Sequence, residues 1–369
     1  MSKILIVTNH SYMLYRFRKE LIQRLAQDHD VVVSTPFVGH EKDIEALGCR
    51  CVKTDVDRRG MNPKTDKKLI MDYKHLLEAE KPDMVITYSI KPNIYMGMLC
   101  RKNNIPYFVN VQGLGAAFQN KIMSIAVSFL YSIALKKARV VFFENHANAK
   151  EFLNRRIISA KQVVVLPGAG INLESYSYQD FPQDDVRHFL YMGRIMREKG
   201  VEEWFEAAKR LKAEYGSRIV FDMVGFFEDE YSGIVEELQK EGVIMFHGFQ
   251  TEPRPFYQQA HCIVMPSYHE GLSNVLLEAA AIGRPIVTSD IPGCREVVVD
   301  GKNGYLCEVK NAQMLYEKMK LIMEAPIEEL ISMGKNGRQH VAEHFAKDAV
   351  VSLTVQALEP RTRTAQGVV

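Results

Sequence analysis

Short runs of consecutive apolar residues recur along the chain and alternate with longer amphipathic segments. Residues 4–7 (ILIV) and 140–143 (VVFF) are continuous apolar runs, which is typical of strands buried on both faces of a parallel sheet. Residues 15–26 instead place apolar side chains three and four positions apart, which indicates an amphipathic helix, with Ser11 as its predicted N-cap. Strands that alternate with helices predict parallel βαβ units and a doubly wound sheet.

The alternation runs twice, and a polar segment separates the two runs. Residues 171–187 contain polar and aromatic side chains, a proline and no clear period, which indicates a linker. We therefore predict an α/β protein with two Rossmann-like doubly wound domains, 1–170 and 188–345, that face a central cleft. Residues 346–369 are predicted to form a C-terminal helix that can pack back on the first domain, and a frayed tail. The predicted strands are 4–7, 30–33, 84–86, 107–109, 140–143, 163–166, 189–192, 219–224, 244–246, 262–265 and 285–288, and the predicted helices are 15–26, 44–48, 66–80, 95–102, 121–137, 201–215, 231–241, 255–260 and 274–282.

Composition narrows the class of protein. The 369 residues are 47% hydrophobic and 25% charged, which are globular values and exclude a disordered or fibrous chain. The six cysteines include no pair of CxxC motifs, so neither a disulfide scaffold nor a zinc site is expected. The longest apolar stretch, 122–135, is shorter than the roughly 20 residues that span a bilayer, and we find no secretory signal. We therefore expect a cytosolic protein with reduced thiols.

The charge is distributed unevenly along the chain. The net charge is +2, but residues 1–180 contain 26 Lys+Arg against 17 Asp+Glu, and the remainder contains 21 against 28. The two halves are therefore expected to meet different ligands.

The stretch 266–285 carries the strongest chemical signal. A predicted strand ends at Met265, a turn contains Glu270 and Gly271, and a helix begins near Ser273. The free N–H groups and the dipole of a helix N-terminus attract an anion, and a glycine lets that anion approach the backbone. Glu278 lies about one turn into the helix, where a carboxylate can accept hydrogen bonds from a diol. A capped helix with two solvated glutamates is the alternative interpretation.

A second loop supplies positive charge. Arg194 and Lys199 lie five positions apart between Gly193 and Gly200, directly after a predicted strand. Two cations at such a place can clamp a diphosphate and neutralise a leaving group. The GxxxxGK[ST] pattern of a Walker loop is absent from this segment. An ordinary solvated basic turn is the alternative.

Together these segments resemble the family-4 retaining glycosyltransferases of the GT-B fold, over nearly the whole chain. Glu270 and Glu278 match the E-x7-E pattern, 193–200 matches the GRL-x-x-EKG pattern, and 289–306 resembles the sequel that is usual in the family. The first half resembles a narrower group, the transferases that extend lipid-diphosphate-linked sugars in bacterial capsule, O-antigen or N-glycan assembly. The first strand–helix loop, 8–12, departs from the family because it contains no glycine. The segments that carry the narrower resemblance are 57–63, 89–95, 111–115 and 168–173.

The resemblance implies a donor site in the second domain. It implies that Arg194 and Lys199 bind the diphosphate of a nucleotide sugar and that Glu278 accepts from the ribose hydroxyls. The expected donor is a UDP-linked hexose or N-acetylhexosamine. It implies that Glu270 contacts the transferred sugar and that the nucleobase binds near the loops of Gly225 and Gly248. The leaving phosphate would help to deprotonate the acceptor on the same face of the sugar. Positioning and charge stabilisation would then account for most of the rate enhancement. The backbone that would line the sugar and phosphates belongs to Gly271, Leu272, Ser273 and Asn274.

The resemblance also implies an acceptor site in the first domain. The acceptor would be a polyprenyl-diphosphate-linked saccharide. Metal and cofactors are not expected, because Arg194 and Lys199 already supply the cationic role and the triplets 28–30 and 55–57 (DxD) are expected by chance. His10, His146 and His247 are interpreted as surface or packing histidines, with a role as general base as the alternative for His10 and His146, which follow predicted strands. The candidate acceptor residues are Arg58, Arg59, Lys91, Gln112, Gly113 and Gly115. Plain solvated charge is the alternative interpretation for Lys91 and the two arginines.

The basic first half and the apolar stretch 122–135 suggest contact with an anionic membrane surface, and hence a peripheral location on the inner face of the cell membrane. A buried core helix is the alternative for 122–135. The basic residues are dispersed over many predicted helices, which argues against a nucleic-acid partner. Three alternative functions remain from sequence alone: a GT-B sugar-nucleotide epimerase, a phosphorylase, and a non-catalytic sugar-nucleotide-binding protein.

Overall fold

The computed structural model describes residues 1–57, 62–115, 118, 120–183 and 185–359. Two compact units divide the chain. The first contains Met1–Ala169 together with the chain from Lys347 onward, and the second is Gly170–Ala346. The first unit is therefore built from two separate stretches of chain. Residues 171–187, which the sequence indicates as a linker, belong to the second unit.

The first unit contains a parallel sheet, seven-stranded over the described residues, with the order β3-β2-β1-β4-β5-β6-β7. In its centre, Ile6 of β1 lies opposite Val33 on one side and Ile86 on the other. The strand order reverses direction at β1, so the chain winds outward to both edges, and ligands of such sheets bind at the carboxyl ends of the strands. The strands are β1 (Lys3–Val7), β2 (Asp30–Thr35), β3 (Arg50–Lys53), β4 (Met84–Tyr88), β5 (Tyr107–Val111), β6 (Val140–Phe143) and β7 (Val163–Val165).

Helices cover both faces of this sheet. One apolar core lies beneath α3, α4, α5 and α6, and the other lies beneath α1, α2 and α13. The helices are α1 (Ser11–Asp28), α2 (Glu41–Glu45), α3 (Pro63–Glu80), α4 (Ile90–Asn103), α5 (Lys121–Ala134), α6 (His146–Asn154) and, from the end of the chain, α13 (Lys347–Leu358).

The second unit contains a parallel sheet that has six strands within the described part of the chain, in the order β10-β9-β8-β11-β12-β13. The helices α7, α8 and α11 pack on one face around Trp204, α9 and α10 pack on the other, and α12 contributes to both cores. The strands are β8 (Arg187–Met192), β9 (Ile219–Val224), β10 (Met245–Phe246), β11 (Cys262–Met265), β12 (Ile286–Ser289) and β13 (Gly304–Cys307). The helices are α7 (Val201–Tyr215), α8 (Ser232–Lys240), α9 (Arg254–Gln259), α10 (Asn274–Ile282), α11 (Ala312–Glu324) and α12 (Ile327–His344). Two doubly wound parallel α/β units confirm the predicted fold class.

The start of α1 differs from the prediction. The cap is His10, whose Nδ1 accepts the N–H of Tyr12 at 3.2 Å, and not Ser11. Ser11 is buried as the first helical residue, and its hydroxyl accepts the N–H of Val38 at 3.2 Å. The ring nitrogen thus takes the capping role that a serine usually fills, because Ser11 is engaged by a more distant segment.

Two arginines, the buried Arg284 and the half-buried Arg338, fix the beginning of the second unit. Arg284 is fully buried and donates to the backbone carbonyls of Gln179 and Asp180, both at 2.8 Å. Arg338 donates to the carbonyls of Leu173 and Tyr176. Burial lowers the pKa of Arg284 to about 10, so its charge persists at neutral pH. The segment that the sequence indicates as a linker is therefore a structural part of this unit.

Helix α5 is shorter than the predicted 121–137, because it ends at Ala134. Part of its apolar surface is exposed rather than packed in a core, most of all at Ile122, Ile125 and Phe129. Across the described residues we find no helix whose length and apolar character would let it cross a bilayer.

Candidate functional site

The loop between β8 and α7 places Lys199 at the carboxyl end of the sheet. It begins at Gly193 and ends in a short 3-10 turn, Arg197–Lys199, followed by Gly200 with φ 69°. A Cβ on Gly200 would lie 2.1 Å from the carbonyl oxygen of Pro266. Only glycine permits both this left-handed conformation and this close approach, so Gly200 lets the loop press against the segment that follows β11.

The loop between β8 and α7 contacts the segment that follows β11 through backbone atoms and through side chains. The N–H of Tyr268 donates to the carbonyl of Glu198 at 2.9 Å. Lys199 Nζ lies 2.5 Å from Glu270 Oε1, with 15% and 13% of the two side chains exposed. A charge-assisted hydrogen bond in such a partly buried place is stronger than a solvated surface pair. The structure therefore brings together two of the three predicted catalytic residues.

A third loop, which follows β12 and contains Gly293, packs against the turn of Glu270. A Cβ on Gly293 (φ 89°) would lie 2.5 Å from the carbonyl oxygen of Gly271 and 2.8 Å from Glu270 Cβ. The N–H of Ser273 donates to the carbonyl of Gly293 at 3.0 Å. The turn of Glu270 and Gly271 is thus held between the loops that follow β8 and β12, which restricts the freedom of the Glu270 side chain.

Helix α10 begins directly after this turn. Ser273 is its N-cap, and its hydroxyl accepts the N–H of Leu276 at 3.4 Å. Leu272 and Ser273 are buried, whereas Asn274 is half-buried at the first helical position. The positive end of the helix dipole therefore lies next to the ion pair of Lys199 and Glu270, which favours an anionic group at this place.

Glu278 lies one turn further along α10 and is buried. Only 5% of the residue is exposed, and the hydroxyl of Tyr257 on α9 donates to its Oε2 at 2.9 Å. A buried carboxylate needs hydrogen bonds, and Tyr257 supplies one that fixes its orientation. Tyr257 was missed by the sequence interpretation, because nothing in the pattern relates a tyrosine on one helix to a carboxylate on the next.

Arg194 has a different environment from Lys199. Its side chain is 45% exposed and lies 3.8 Å from Glu228 Oε2. The hydroxyl of the buried Tyr191 donates to the backbone carbonyl of Arg194 at 2.7 Å. Burial raises the pKa of Tyr191 well above its ordinary value, so the hydroxyl stays protonated as a donor. The backbone of the loop is thus anchored, while the guanidinium of Arg194 reaches solvent next to Glu228.

Loops after β9 and β10 extend the same edge of the sheet. A Cβ on Gly225 would lie 1.8 Å from the carbonyl oxygen of Gly193, and the N–H of Gly225 donates to the carbonyl of Gly248 at 2.9 Å. Phe226 and Phe249 follow these glycines, with exposures of 43% and 51%, and their rings meet edge to face with 5.9 Å between centroids. The sequence interpretation placed the nucleobase near these loops but did not single out the phenylalanine pair.

His247 is engaged in the same region. Its Nε2 lies 2.7 Å from Asp222 Oδ1, and Nδ1 of His188 lies 3.1 Å from Asp222 Oδ2. Burial acts to raise the pKa of Asp222, but the hydrogen bonds with the two histidines outweigh it and hold this pKa below its ordinary value. This arrangement fits the packing role predicted for His247.

In the first unit, the predicted acceptor residue Lys91 lies at the start of α4. Its Nζ lies 2.8 Å from Asp66 Oδ1 and 4.0 Å from Asp57 Oδ2, and the Lys91 and Asp66 side chains are 12% and 11% exposed. Lys91 is therefore a half-buried, ion-paired cation rather than a plain solvated one. Arg58 and Arg59 lie outside the described residues.

Two further features mark the carboxyl edge of the first sheet. Gln112, Gly113 and Gly115 follow β5, and Gly115 has φ 68°. Ser89 follows β4 with φ 74°, a strained conformation for a non-glycine residue, and its hydroxyl donates to Asn9 Oδ1 at 2.7 Å. Such strain concentrates at functional places and requires support from the surroundings, which Asn9 provides here. Within the described ranges, no cluster of three or more His, Cys, Asp or Glu side chains has the geometry to hold a metal ion.

Comparison with known proteins agrees with this geometry. Residues 3–145 match the family model "Glycosyl transferase 4-like", and residues 177–340 match "Glycosyl transferases group 1". The structure of Anabaena Alr3699/HepE in complex with UDP and glucose superposes with a TM-score of 0.80 at 15% identity, covering 97% of this chain and 99% of that one. The structure of sucrose-phosphate synthase from Thermosynechococcus elongatus superposes with a TM-score of 0.78 at 20% identity. The match covers 96% of this chain and 98% of the synthase chain. Fold and site together define a glycosyltransferase of the GT-B fold.

Similar sequences narrow the assignment. The chain is 27% identical, over 90% of its length and 92% of the relative, to N,N'-diacetylbacillosaminyl-diphospho-undecaprenol alpha-1,3-N-acetylgalactosaminyltransferase of Campylobacter jejuni. It is 23% identical to the capsular polysaccharide biosynthesis glycosyltransferase CapM of Staphylococcus aureus, over 94% of this chain and 93% of CapM. A second Campylobacter jejuni enzyme is 26% identical, over 76% of this chain and 77% of the relative. It is N-acetylgalactosamine-N,N'-diacetylbacillosaminyl-diphospho-undecaprenol 4-alpha-N-acetylgalactosaminyltransferase. The chain belongs to family 4 of the GT-B glycosyltransferases.

Proposed function

We propose that this glycosyltransferase moves an N-acetylhexosamine, with retention of configuration, from a UDP-sugar to a polyprenyl-diphosphate-linked saccharide during surface glycan assembly. The observation that carries the proposal is the ion pair of Lys199 and Glu270 beside the N-terminus of α10, with the buried Glu278 one turn away. This arrangement offers positive charge for a diphosphate and two differently placed carboxylates for hydroxyl groups.

The donor would lie along the carboxyl edge of the second sheet. Its diphosphate would meet Arg194, Lys199 and the first-turn N–H groups of α10, and the ribose diol would donate to Glu278. Glu270, held by Lys199, would accept from a hydroxyl of the transferred sugar. UDP is favoured as the nucleotide because a structural neighbour binds UDP, and N-acetylgalactosamine is favoured because the names of two relatives state it.

Stabilisation of the negative charge on the leaving group would lower the barrier of the chemical step. As the bond between the anomeric carbon and the phosphate oxygen breaks, the departing UDP gains negative charge, which Lys199 and Arg194 would offset. The acceptor hydroxyl would attack on the same face and pass its proton to the leaving phosphate. Retention agrees with the α linkages in the relatives' names, because the sugar of UDP-N-acetylgalactosamine is itself α-linked. In this proposal neither a metal nor another cofactor takes part.

The acceptor would bind to the first unit. Its diphosphate would meet Lys91, Arg58 and Arg59, and its saccharide would lie near Gln112, Gly113 and Gly115. Lys91 would exchange part of its pairing with Asp57 and Asp66 for the phosphate charge. The location would be cytoplasmic, at the inner face of the cell membrane.

One experiment tests the proposed function. Purified protein is incubated with UDP-N-acetylgalactosamine and a short-chain prenyl-diphosphate-linked monosaccharide, and the product is analysed by mass spectrometry and proton NMR. We expect a disaccharide with an α linkage. A β-linked product would overturn retention, and phosphate-dependent cleavage or epimerisation without acceptor would favour the phosphorylase or the epimerase instead. UDP binding with no turnover of any UDP-hexose or UDP-N-acetylhexosamine would indicate a non-catalytic binding protein.

A further inference from the structure

Helix α5 of the first unit presents an apolar stripe to solvent. Ile122, Ile125 and Phe129 are 82%, 70% and 64% exposed, and their spacing of three and four residues puts them on one face. Surface helices usually bury their apolar residues against the core, and α5 carries this stripe in addition to its buried apolar face. Three large apolar side chains exposed side by side are typical of an interaction surface.

The buried face of α5 is held to the protein by apolar packing and by a polar contact. Val127 and Tyr131, which are 3% and 2% exposed, belong to the core beneath the helix. Ser124 is 3% exposed, and both Ser124 and Ser128 accept hydrogen bonds from the guanidinium of Arg155. Arg155 also donates to Glu151 at 2.6 Å and lies over the ring of Phe118, 5.2 Å from its centroid. Turning α5 to bury its apolar stripe would break these bonds and leave Arg155 without its hydroxyl acceptors, so the outward orientation is fixed.

The chain segment that contains α5 has an excess of basic residues over acidic ones. Residues 84–143 contain no Asp or Glu at all. Exposed cations flank both ends of the helix, Lys121 at its start and Lys136, Lys137 and Arg139 after its end. A helix of 14 residues is about 21 Å long. The stripe from Ile122 to Phe129 covers about 10 Å of this length. An apolar stripe on a helix with cations at both ends is complementary to a surface that is apolar inside and negatively charged outside.

We propose that α5 docks this enzyme on an anionic lipid bilayer, with Ile122, Ile125 and Phe129 in the acyl boundary and the flanking cations at the headgroups. This inference rests on the proposed function, because a lipid-linked acceptor presents its diphosphate at that same surface. A second copy of the chain fits less well, since pairing two α5 helices would bring lysines of like charge together.

Vesicle binding tests the proposal. We compare sedimentation with vesicles of phosphatidylglycerol and phosphatidylcholine, and we expect strong preference for the anionic lipid that weakens with salt. I125S/F129S should lower binding at least tenfold, and K121E/K136E should lower it by a similar factor, since each surface cation contributes about fivefold. The matched control is I234S, which replaces an exposed isoleucine on α8 of the second unit and should bind like the wild type. Equal binding of I125S/F129S and wild type, or no vesicle binding by the wild type, would overturn the proposal.

Two further measurements distinguish failure of the membrane-docking proposal from failure of the proposed transferase function. I125S/F129S should keep wild-type turnover on the short-chain soluble acceptor and lose turnover when a long-chain acceptor is embedded in vesicles. Absence of turnover by the wild type on both acceptors would refute the proposed function, whatever the vesicle result. Size-exclusion chromatography adds one outcome: a wild-type dimer that I125S/F129S converts to a monomer would assign α5 to self-association and overturn the membrane proposal.

Discussion

The backbone N–H of Tyr268 donates to the carbonyl of Glu198 at 2.9 Å, and this bond aligns two loops that lie far apart in sequence. The next residue of the first loop, Lys199, then meets Glu270 of the second loop at 2.5 Å. The ion pair is therefore positioned by the backbone, and little side-chain freedom remains to be lost when a substrate binds.

Removing either member of this pair should reduce turnover. We expect E270Q and K199M to lower kcat by about 10²–10³-fold, because each removes a fixed charge next to the reacting centre. Steady-state kinetics with the UDP-sugar and the soluble acceptor measure the effect. K320M is the control, since Lys320 and Glu214 form a more exposed pair of the same unit. Wild-type kcat in E270Q would remove Glu270 from the proposed site.

Glu278 and Tyr257 should act on nucleotide binding. We expect E278Q to weaken UDP binding by about tenfold or more, because it loses a charged acceptor for the ribose diol. Y257F should weaken it by a smaller factor, since the carboxylate stays but loses one orienting bond. Titration calorimetry with UDP gives both affinities. Y316F, which removes a hydroxyl bound to the exposed Glu214, should match the wild type. A larger effect from Y257F than from E278Q would contradict this assignment.

Replacing Gly200 should disturb both stability and the site. A Cβ there meets the carbonyl of Pro266 and strains a φ of +69°, so G200A should lower the free energy of unfolding by at least about 2 kcal/mol and displace Lys199. Urea unfolding and kcat are measured together. G233A is the matched control, because no atom lies near its Cβ and its φ is helical, so it should be neutral or raise stability by about 0.5–1 kcal/mol. An unfolding midpoint and kcat unchanged in G200A would show that the two loops are not pressed together.

His261 should make the protein sensitive to acid. Burial, with smaller contributions from Arg187, His188 and Arg284, lowers the pKa of His261 to about 3. The unfolded chain therefore binds a proton between about pH 6.5 and pH 3 that the folded chain does not bind, so stability falls as pH falls through this window. The slope from this group approaches about 1.4 kcal/mol per pH unit. Urea unfolding between pH 7 and pH 4.5 should show a smaller slope in H261N, and an unchanged slope would contradict the prediction.

Metal removal should leave activity intact. We expect transfer to continue in excess EDTA, because Lys199, Arg194 and the N-terminus of α10 provide the positive charge for the diphosphate. Loss of activity in EDTA that Mg²⁺ or Mn²⁺ restores would refute this prediction. Saturating magnesium in a parallel reaction controls for effects on vesicles or acceptor.

Elements with strong local signals were predictable from sequence. The runs Val140–Phe143 and Cys262–Met265 and the helix Val201–Tyr215 have the predicted bounds, because continuous apolar runs and clear helical periods are local properties. Helices α6, α11 and α12 and the strands β3 and β13 were missed. The residues of α6 and β3 are polar or mixed, and these two elements are held by neighbours that the local pattern does not reveal.

The candidate site was predictable where the sequence motif is contiguous. Lys199 and Glu270 could be named, but their contact depends on the approach of Gly200 to Pro266, which brings together residues that are distant in sequence. The roles of Tyr257 and the phenylalanines at 226 and 249 arise from packing between elements. The outward face of α5 could not be predicted either, because its orientation depends on Arg155 reaching Ser124 and Ser128.

The return of the chain to the first unit has a consequence for folding during synthesis. Val350 and Leu358 of α13 belong to the apolar core beneath α1, and Lys347 Nζ donates to the carbonyls of Phe17 and Ala169 at 3.1 and 2.7 Å. The ribosome makes the second unit as one uninterrupted stretch, so that unit can fold while α13 is still inside the exit tunnel. The unit that is synthesised first therefore completes its core last, and a nascent chain stalled before Lys347 would present the α1 side of that core uncovered.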